Sequence, residues 1–272
     1  MPTSVIDGLK LYWEITGSSG EALVLVHGSW GDHHGWDRVV PLLAGSFRVL
    51  TYDRRGHSQS ERPAGPIAVQ DHVADLAGLI EVLDLAPAHV AGNSFGGSIG
   101  LRLAGQHPDL FRSLIAHEPP LFDLLAEQPE TQTMLADLQR RMQGVLDLLE
   151  GGDMEAGARL FVETMTVGPG AWGRLSPEMQ GTHIANAPTA LQEARDPEML
   201  RLDLASLARF TRPALLTLGA LSPPFYAPVV ARVAAALPRV ERETFARVGH
   251  MPQLSDPRAY VQTVAEFIGK AM

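Results

Sequence analysis

Residues 91–104 read AGNSFGGSIGLRLA, and this stretch determines how the rest of the chain is interpreted. It contains the pattern G-x-S-x-G, with Ser94 between Gly92 and Gly96, and it stands between a buried-strand pattern and a helical pattern. Small residues at the two glycine positions allow a sharp strand-to-helix turn that raises the serine hydroxyl above the sheet. The amides and the dipole at the N-terminus of the following helix are directed toward that hydroxyl. The pattern therefore marks Ser94 as a candidate nucleophile.

Buried strands alternate with helices on both sides of this turn. Apolar runs without polar alternation predict strands that are buried on both faces, as in a parallel sheet. The runs are ALVLVHG (22–28), FRVLTYD (47–53), AHVAGNS (88–94), SLIAHEP (113–119) and ALLTLGA (214–220). Residues 69–85 have helical periodicity, whereas LKLYWEIT (9–16) alternates and predicts an outer antiparallel strand. The sequence predicts an α/β fold with an open, mostly parallel sheet covered by helices.

The strand pattern stops between about residues 120 and 208. An apolar stripe over residues 134–152 predicts a helix that ends at Gly-Gly. Asp153, Ser176 and Asp196 are predicted N-caps of successive helices, and proline follows the last two of them. The predicted division is a core of residues 1–119 and 209–272 with a helical cap, or lid, of residues 120–208.

Composition limits the classes of function. The 272 residues carry 22 basic and 31 acidic side chains, a net charge of −9, and no Lys/Arg cluster suited to a phosphate backbone, so nucleic acid is not an expected partner. The chain has no cysteine, which excludes disulfides and a cysteine nucleophile. No signal-peptide pattern and no run near the ~20 apolar residues of a membrane span are present. We expect a cytoplasmic monomer or homodimer without membrane partner or cofactor.

Four stretches together resemble the α/β-hydrolase family, and the resemblance covers nearly the whole chain. They are LVLVHGSWGDHHGW (23–36), TYDRRGHSQS (51–60), GNSFGG (92–97) and ARVGHMPQLSDP (246–257). The resemblance implies the α/β-hydrolase fold and makes His250 the general base that accepts the Ser94 proton. It also implies an oxyanion hole formed by the backbone N–H groups of Ser29 and Phe95, with the Trp30 amide as the alternative.

The acid that should orient His250 is absent from its usual place in this family. That position, after the strand at 214–220, holds Ser222, whose neutral hydroxyl cannot stabilise an imidazolium as a carboxylate does. Glu118 ends the neighbouring strand before two prolines, and family members with a carboxylate there are known. We predict Glu118 as the acid, and we hypothesise that Ser222 hydrogen-bonds to it. The alternative is that Glu118 is only a buried, paired carboxylate.

The remaining polar residues of the motifs have structural interpretations. His27 belongs to a turn, and burial accounts for His117. His33 and His34 are adjacent, so their side chains are expected to point apart, and no metal site is predicted. Asp53, Arg54 and Arg55 are expected to form a structural loop near the entrance of the site.

The predicted function is hydrolysis of carboxylic esters or lactones through an acyl-enzyme. The predicted partner is a hydrophobic small molecule, with a pocket formed by Trp30, Phe122, Phe161, Met165 and Trp172. HEPPLFDLL, together with the serine at 222, is similar to fungal hydrolases that open resorcylic macrolactones, which favours a lactone. One alternative is a hydrolase that cleaves C–C bonds of aromatic ring-fission products, although such enzymes normally keep the late aspartate. Another is a non-catalytic binder on this fold. Dehalogenases and epoxide hydrolases are disfavoured because their nucleophile is an aspartate.

Overall fold

The computed structural model describes residues 2–271, and its centre is one eight-stranded sheet. The strands are β1 (Thr3–Ile6), β2 (Leu9–Thr16), β3 (Glu21–Val26), β4 (Phe47–Tyr52), β5 (Ala88–Asn93), β6 (Phe111–His117), β7 (Ala214–Gly219) and β8 (Val240–Phe245). Their order across the sheet is β1-β2-β4-β3-β5-β6-β7-β8. Strand β2 is antiparallel to β1 and β4, and every other pairing is parallel. The prediction of an open, mostly parallel α/β sheet is confirmed.

The prediction that residues 9–16 form the outer strand is wrong. Strand β1 pairs with the far side of β2, from Thr3 opposite Tyr12 to Ile6 opposite Leu9. The two strands are joined by Asp7 and Gly8, both of which have positive φ, and an Asp-Gly pair favours such a two-residue hairpin turn. The four residues of β1 are too few for their alternation to be recognised in the sequence.

Ten α-helices cover the sheet and fill the interval between β6 and β7 in the described part of the chain. They are α1 (Val40–Leu43), α2 (Val69–Val82), α3 (Phe95–Gln106), α4 (Gln132–Glu150), α5 (Met154–Phe161), α6 (Pro177–Ala194), α7 (Leu204–Leu207), α8 (Tyr226–Ala236), α9 (Pro252–Ser255) and α10 (Pro257–Ala271). We call residues 122–207, which include α4 to α7, the helical insert. None of the helices within residues 2–271 combines the length and the apolar character needed to cross a bilayer.

The sheet has a separate apolar core on each face. Val24 and Val26 of β3 pack on the side that α2, α3 and α8 cover, whereas Leu23 and Leu25 pack on the side that α1 and α10 cover. Both faces are therefore dry, and this explains why the strands lack polar alternation.

The helical insert has a third apolar cluster of its own, which includes Val145, Leu149 and Ala187. Asp153 and Ser176 accept hydrogen bonds from the amides of Ala156 and Met179, so they cap α5 and α6 as predicted. Asp196 does not begin a helix. Its carboxylate accepts from the amides of Glu198 and Val69, and a turn follows before the chain returns toward the sheet.

A buried polar stripe on α6 attaches the helical insert to the core. Thr189 donates to the Gly56 carbonyl oxygen, and Asn186 donates to the carbonyl oxygens of Trp30 and Gly31 at 3.1 Å each. Asn186 and Thr189 have no exposed side-chain surface. Hydrogen bonds to loop backbone therefore fix the orientation of this helix.

The same stripe continues into a buried ion pair between Glu193 and Arg54. Arg54 Nη1 lies 2.6 Å from Glu193 Oε1, which also lies 2.8 Å from His72 Nε2, and Arg54 is fully buried. Burial alone would raise the pKa of Glu193, but the Arg54 guanidinium and the neighbouring imidazoles lower that pKa far below its ordinary value. Arg54 therefore lies beneath α6 rather than near the entrance, because a charge partner 139 residues away holds it there.

Loss of the Glu193 charge should destabilise the protein strongly. We expect Glu193→Gln to lower the free energy of unfolding by about 3–5 kcal/mol, because it leaves Arg54 buried without a counter-charge. Urea denaturation at neutral pH measures this change. The matched control is Glu150→Gln, which breaks the exposed Glu150–Arg195 pair and should cost at most about 1 kcal/mol. Equal effects of the two substitutions would contradict the assignment of Arg54–Glu193 as a structural anchor.

Candidate active site

Ser94 occupies the turn between β5 and α3 in a backbone conformation that few non-glycine residues adopt. Its φ is 54° and its ψ is −121°, and such a conformation costs on the order of 1–3 kcal/mol. Close backbone packing enforces the turn. An added Cβ at Gly92 would lie 2.3 Å from the carbonyl carbon of Gly96, and one at Gly96 would lie 2.1 Å from the carbonyl oxygen of Val26. Both glycines of the sequence pattern are therefore required for steric reasons.

The register of the parallel strands places Glu118 beside this turn. Asn93 at the end of β5 pairs with His117 at the end of β6, so Ser94 and Glu118 follow directly at the same edge of the sheet. The Ser94 amide donates to the His117 carbonyl oxygen at 2.7 Å. Glu118 has a φ of 45°, which ends the strand before Pro119 and is another strained position for a non-glycine residue.

Glu118 and His250 are in direct contact. The His250 Nδ1 lies 2.7 Å from Glu118 Oε2, the Gly219 amide donates to Glu118 Oε1 at 2.7 Å, and both side chains are almost fully buried. Burial alone would raise the pKa of Glu118, but the hydrogen bond from His250, the neighbouring imidazoles and the Gly219 amide lower it. Because Glu118 is then ionised, Nδ1 of His250 carries the proton and its Nε2 is left as a hydrogen-bond acceptor.

His117 also lies near the Glu118 carboxylate, but farther from it than His250 does. Its Nε2 lies 3.5 Å from Glu118 Oε2, and its Nδ1 is 2.9 Å from the Thr217 hydroxyl. Burial lowers the pKa of His117 to about 3, so its ring is neutral at physiological pH. The expectation that His117 is buried is confirmed.

Ser222 does not hydrogen-bond to Glu118, so that hypothesis is wrong. The Ser222 Oγ is buried and has no hydrogen-bond partner within residues 2–271. The two Glu118 oxygens are already engaged by Gly219 and His250. Ser222 therefore stands at the sequence position of the usual acid without a hydrogen bond to Glu118.

Ser94 and His250 lie at the same site without a hydrogen bond between them in the described part of the chain. Ser94 lines a cavity together with Tyr226, and the ring of Tyr226 stacks on the ring of His250. The Asn93 side-chain amide donates to the His250 carbonyl oxygen at 2.9 Å, which ties the histidine loop to the residue before Ser94. Glu118 and His250 thus form a contact pair, with Ser94 on the adjoining cavity wall.

Backbone amides suited to an oxyanion surround Ser94. Phe95 is the first residue of α3, where an amide has no partner within the helix. The Ser29 amide makes no hydrogen bond to any of residues 2–271, and Ser29 lines the cavity beside Ser94. The loop of Ser29 approaches closely, since an added Cβ at Gly28 would lie 3.2 Å from Ser94 Cβ.

The cavity above Ser94 has a volume of about 530 Å³, which is within the range of small-molecule sites. Its predicted lining residues Phe122, Phe161 and Met165 are at its surface. Trp30 and Trp172 are not. Trp30 stacks behind Phe161 with ring centroids 4.8 Å apart, and Trp172 packs in the apolar cluster of the helical insert.

Several lining residues were not predicted as pocket residues from the sequence. Helix α4 contributes one apolar side to the cavity, through Leu135, Leu138, Met142 and Leu146. The apolar stripe predicted for this helix was the sequence signal for this part of the cavity wall. Apolar residues beyond those that the helix needs for packing can also line a cavity. Tyr226 gave no such signal, since it follows an irregular Ser-Pro-Pro turn.

Two groups of buried side chains bring metal-ligating atoms within 4.8 Å of one another: His117, Glu118 and His250, and Asp32, His33 and Asp53. In the second group, Asp53 Oδ1 accepts from the His33 amide and lies 2.6 Å from His33 Nδ1. Protein hydrogen bonds account for this geometry without an ion. The rings of His33 and His34 do not point apart, since their centroids are 4.0 Å apart. The absence of a metal stays a prediction.

Solved structures with the same fold include several hydrolases. The enol-lactonase of Burkholderia xenovorans LB400 superposes with a TM-score of 0.79 at 22% identity, covering 98% of this chain and 100% of that one. A thermophilic esterase of Thermogutta terrifontis has a TM-score of 0.77 at 23% identity, covering 99% of this chain and 98% of that one. At these identities the likeness establishes the fold alone.

Sequence comparison identifies related proteins and a family, in addition to the likeness in fold. A putative carbamate hydrolase, RutD, of Caulobacter segnis is 27% identical over 280 aligned positions, covering 98% of this chain and 99% of that protein. The uncharacterised hydrolase YraK of Bacillus subtilis is 35% identical over 142 residues, and the match spans about half of either protein, 51% of this chain and 52% of YraK. The model of the alpha/beta hydrolase family matches residues 23–263. That match includes the strained serine turn, the Glu118–His250 pair and the strands that carry them, and the chain thus belongs to the alpha/beta hydrolase family.

Proposed function

We propose that the protein hydrolyses hydrophobic carboxylic esters or lactones through an acyl-enzyme on Ser94. The observation that carries this proposal is the 2.7 Å contact between His250 Nδ1 and Glu118 Oε2, with His250 stacked on Tyr226, which lines the same cavity as Ser94. A buried carboxylate in that position fixes the tautomer and orientation of the imidazole, as the acid of a catalytic triad must. The triad of this proposal is Ser94, His250 and Glu118.

The reaction follows from the state of each group. His250 Nε2 accepts the proton as Ser94 Oγ attacks the carbonyl carbon, and Glu118 stabilises the imidazolium that forms. The amides of Ser29 and Phe95 donate to the oxyanion of the tetrahedral intermediate. His250 then protonates the leaving alcohol, and in a second step it activates the water that releases the acid. For a lactone the leaving alcohol stays attached, so the product is a hydroxy acid.

The helical insert would serve as the cap of this site. The predicted boundaries, residues 120–208, enclose α4, which supplies an apolar wall to the cavity, and α6, whose polar stripe attaches to the core. The leucines and the methionine of this wall favour an apolar acyl group or ring, while Gln139 and Gln143 of the same helix add polar groups to it.

The charges at the cavity favour a neutral substrate. Asp123 and Asp196 are among its lining residues, whereas no lysine or arginine lines it within the described ranges. The Asp196 carboxylate is held by two backbone amides. Arg201 does not line the cavity, but it lies 3.2 Å from Asp123 and offsets part of that charge. A substrate that carries its own carboxylate would still meet no cation among the described lining residues.

Two other functions use the same scaffold. A hydrolase of C–C bonds in ring-fission products remains the second enzymatic candidate, and relatives of that kind normally keep the acid that Ser222 replaces here. A non-catalytic binder would keep the cavity and has no use for the strained turn at Ser94. Covalent labelling of Ser94 by a fluorophosphonate separates the binder from both enzymes, and activity confined to dienones would favour C–C cleavage.

Substitution of the proposed triad tests the mechanism. We expect Ser94→Ala and His250→Ala to lower kcat for p-nitrophenyl esters by at least about 10³-fold, and Glu118→Gln by about 10²–10⁴-fold through loss of the correct tautomer. Ser222→Ala is the matched control, because its hydroxyl has no partner, and it should retain kcat within about twofold. Full activity of Glu118→Gln would refute the triad.

Paired substrates test the preference for neutral esters. We expect p-nitrophenyl hexanoate to exceed the mono-p-nitrophenyl ester of adipic acid by at least about tenfold in kcat/KM, equivalent to about 1.4 kcal/mol. The difference should narrow in 0.5 M salt, because salt screens the exposed part of the repulsion. Equal hydrolysis of the two esters at low salt would show that the carboxylates at the cavity do not select the substrate.

A further inference from the structure

Tyr226 is the one aromatic residue that both lines the cavity and stacks on His250 in the described part of the chain. It is the first residue of α8, and its side chain is almost fully buried. The two ring centroids are 4.7 Å apart and the ring planes differ by 14°. The Tyr226 hydroxyl donates to the Met165 carbonyl oxygen at 3.3 Å, so the ring is connected to the helical insert.

The hydroxyl of Tyr226 does not hydrogen-bond to Nε2, the acceptor atom of His250. It lies 3.5 Å from His250 Nε2, but the lone pair of Nε2 points along the plane of the imidazole, whereas nearly parallel rings place the hydroxyl above that plane. The contact is therefore stacking and not a hydrogen bond. Nε2 is left available in the ring plane for Ser94 or a leaving group. Burial raises the pKa of Tyr226 well above its ordinary value, so the hydroxyl remains neutral.

Other aromatic residues hold Tyr226 in place. Its ring centroid is 4.8 Å from that of Phe225 and 5.9 Å from that of Phe122, and Phe122 and Phe225 meet nearly edge to face. Three rings thus form a rigid group behind His250, with Phe122 also exposed to the cavity. Such contacts restrict the tyrosine to one rotamer.

The bond to Glu118 alone leaves His250 one degree of freedom. The ring is held at Cβ by its covalent link and at Nδ1 by one hydrogen bond. Coupled rotation about its two side-chain torsions can still tilt the ring plane and move Nε2 relative to Ser94. A flat ring stacked on one face of the imidazole opposes this tilt. It also presents a π-face to the imidazolium that forms during the reaction, and such an arrangement favours a cation.

Resting on the hydrolysis proposed above, we propose that Tyr226 is a positioning residue that holds the imidazole plane of His250 by stacking and connects it to the helical insert. The competing interpretation is that Tyr226 is only part of the cavity wall. A wall residue alters substrate binding and therefore KM, whereas a residue that orients the base alters kcat and the reactivity of Ser94 toward any electrophile.

The experiment compares Tyr226→Phe, which keeps the ring, with Tyr226→Leu, which removes it. The readouts are kcat and KM for a p-nitrophenyl ester and the rate of Ser94 labelling by a small dialkyl fluorophosphate. We expect Tyr226→Leu to lower kcat and the labelling rate by about three- to thirtyfold, the size of a desolvated cation–π contact, and by a larger factor than any rise in KM. Tyr226→Phe should stay within about threefold of the wild type in both rates.

Two controls make the outcome decisive. Phe161→Leu changes a cavity wall that does not touch His250, so it should raise KM and leave the labelling rate above that of Tyr226→Leu. Circular dichroism checks folding, and Tyr226→Met replaces Tyr226→Leu if the latter is unfolded. A raised KM with unchanged labelling in Tyr226→Leu, or equal losses in the Leu and Phe variants, would overturn the stacking role alone. A folded wild type that is not labelled at all would overturn the proposed hydrolysis and this inference together.

Discussion

The backbone contact between Gly96 and the end of β3 is the constraint from which the site follows. An added Cβ at Gly96 would collide with the Val26 carbonyl oxygen at 2.1 Å, so α3 can begin this close to the sheet only with glycine. Because α3 begins so close to the sheet, the chain must turn sharply at Ser94. The Ser94 amide then donates to the His117 carbonyl oxygen on β6. Glu118, the next residue along that strand, is thereby held beside the serine.

In the triad that we propose, the acid lies after β6 instead of β7, and the task of His250 is unchanged. An imidazole requires one carboxylate oxygen at Nδ1, and the strand that supplies it matters little if the geometry is met. Glu118 meets it through its positive φ and through the Gly219 amide, which belongs to the strand that usually carries the acid. The vacated strand therefore still contributes to the site, through its backbone instead of a side chain.

Local patterns predicted those parts of the molecule whose partners are close in the chain or in strand register. The parallel sheet, the turn at Ser94 and the placement of Glu118 at the end of β6 all follow from short apolar runs and from glycine and proline positions. Contacts between distant residues could not be predicted. The burial of Arg54 depends on Glu193, 139 residues away, and the pattern of neither segment reveals its partner.

The direction of individual side chains was the second feature that could not be predicted from the sequence. Trp30 and Phe161 are both large and apolar, and nothing in the sequence shows that Phe161 faces the cavity while Trp30 stacks behind it. The same holds for Tyr226, whose position against His250 depends on how α8 begins after an irregular turn. Packing of the whole fold decides such rotamers, because interiors are close-packed and leave few alternatives.

The polar stripe on α6 makes the two long helices of the helical insert, α4 and α6, unequal in how firmly they are held. Displacing this helix would break the hydrogen bonds of Asn186 and Thr189 and separate Arg54 from Glu193 in a dry interior, which would cost several kcal/mol. Helix α4 lines the cavity with leucine, methionine and glutamine side chains, and its methionine can adapt its shape at little cost. A bulky guest would therefore meet less resistance from α4 than from α6. Evolution toward larger or smaller substrates would accordingly proceed mainly through substitutions in α4.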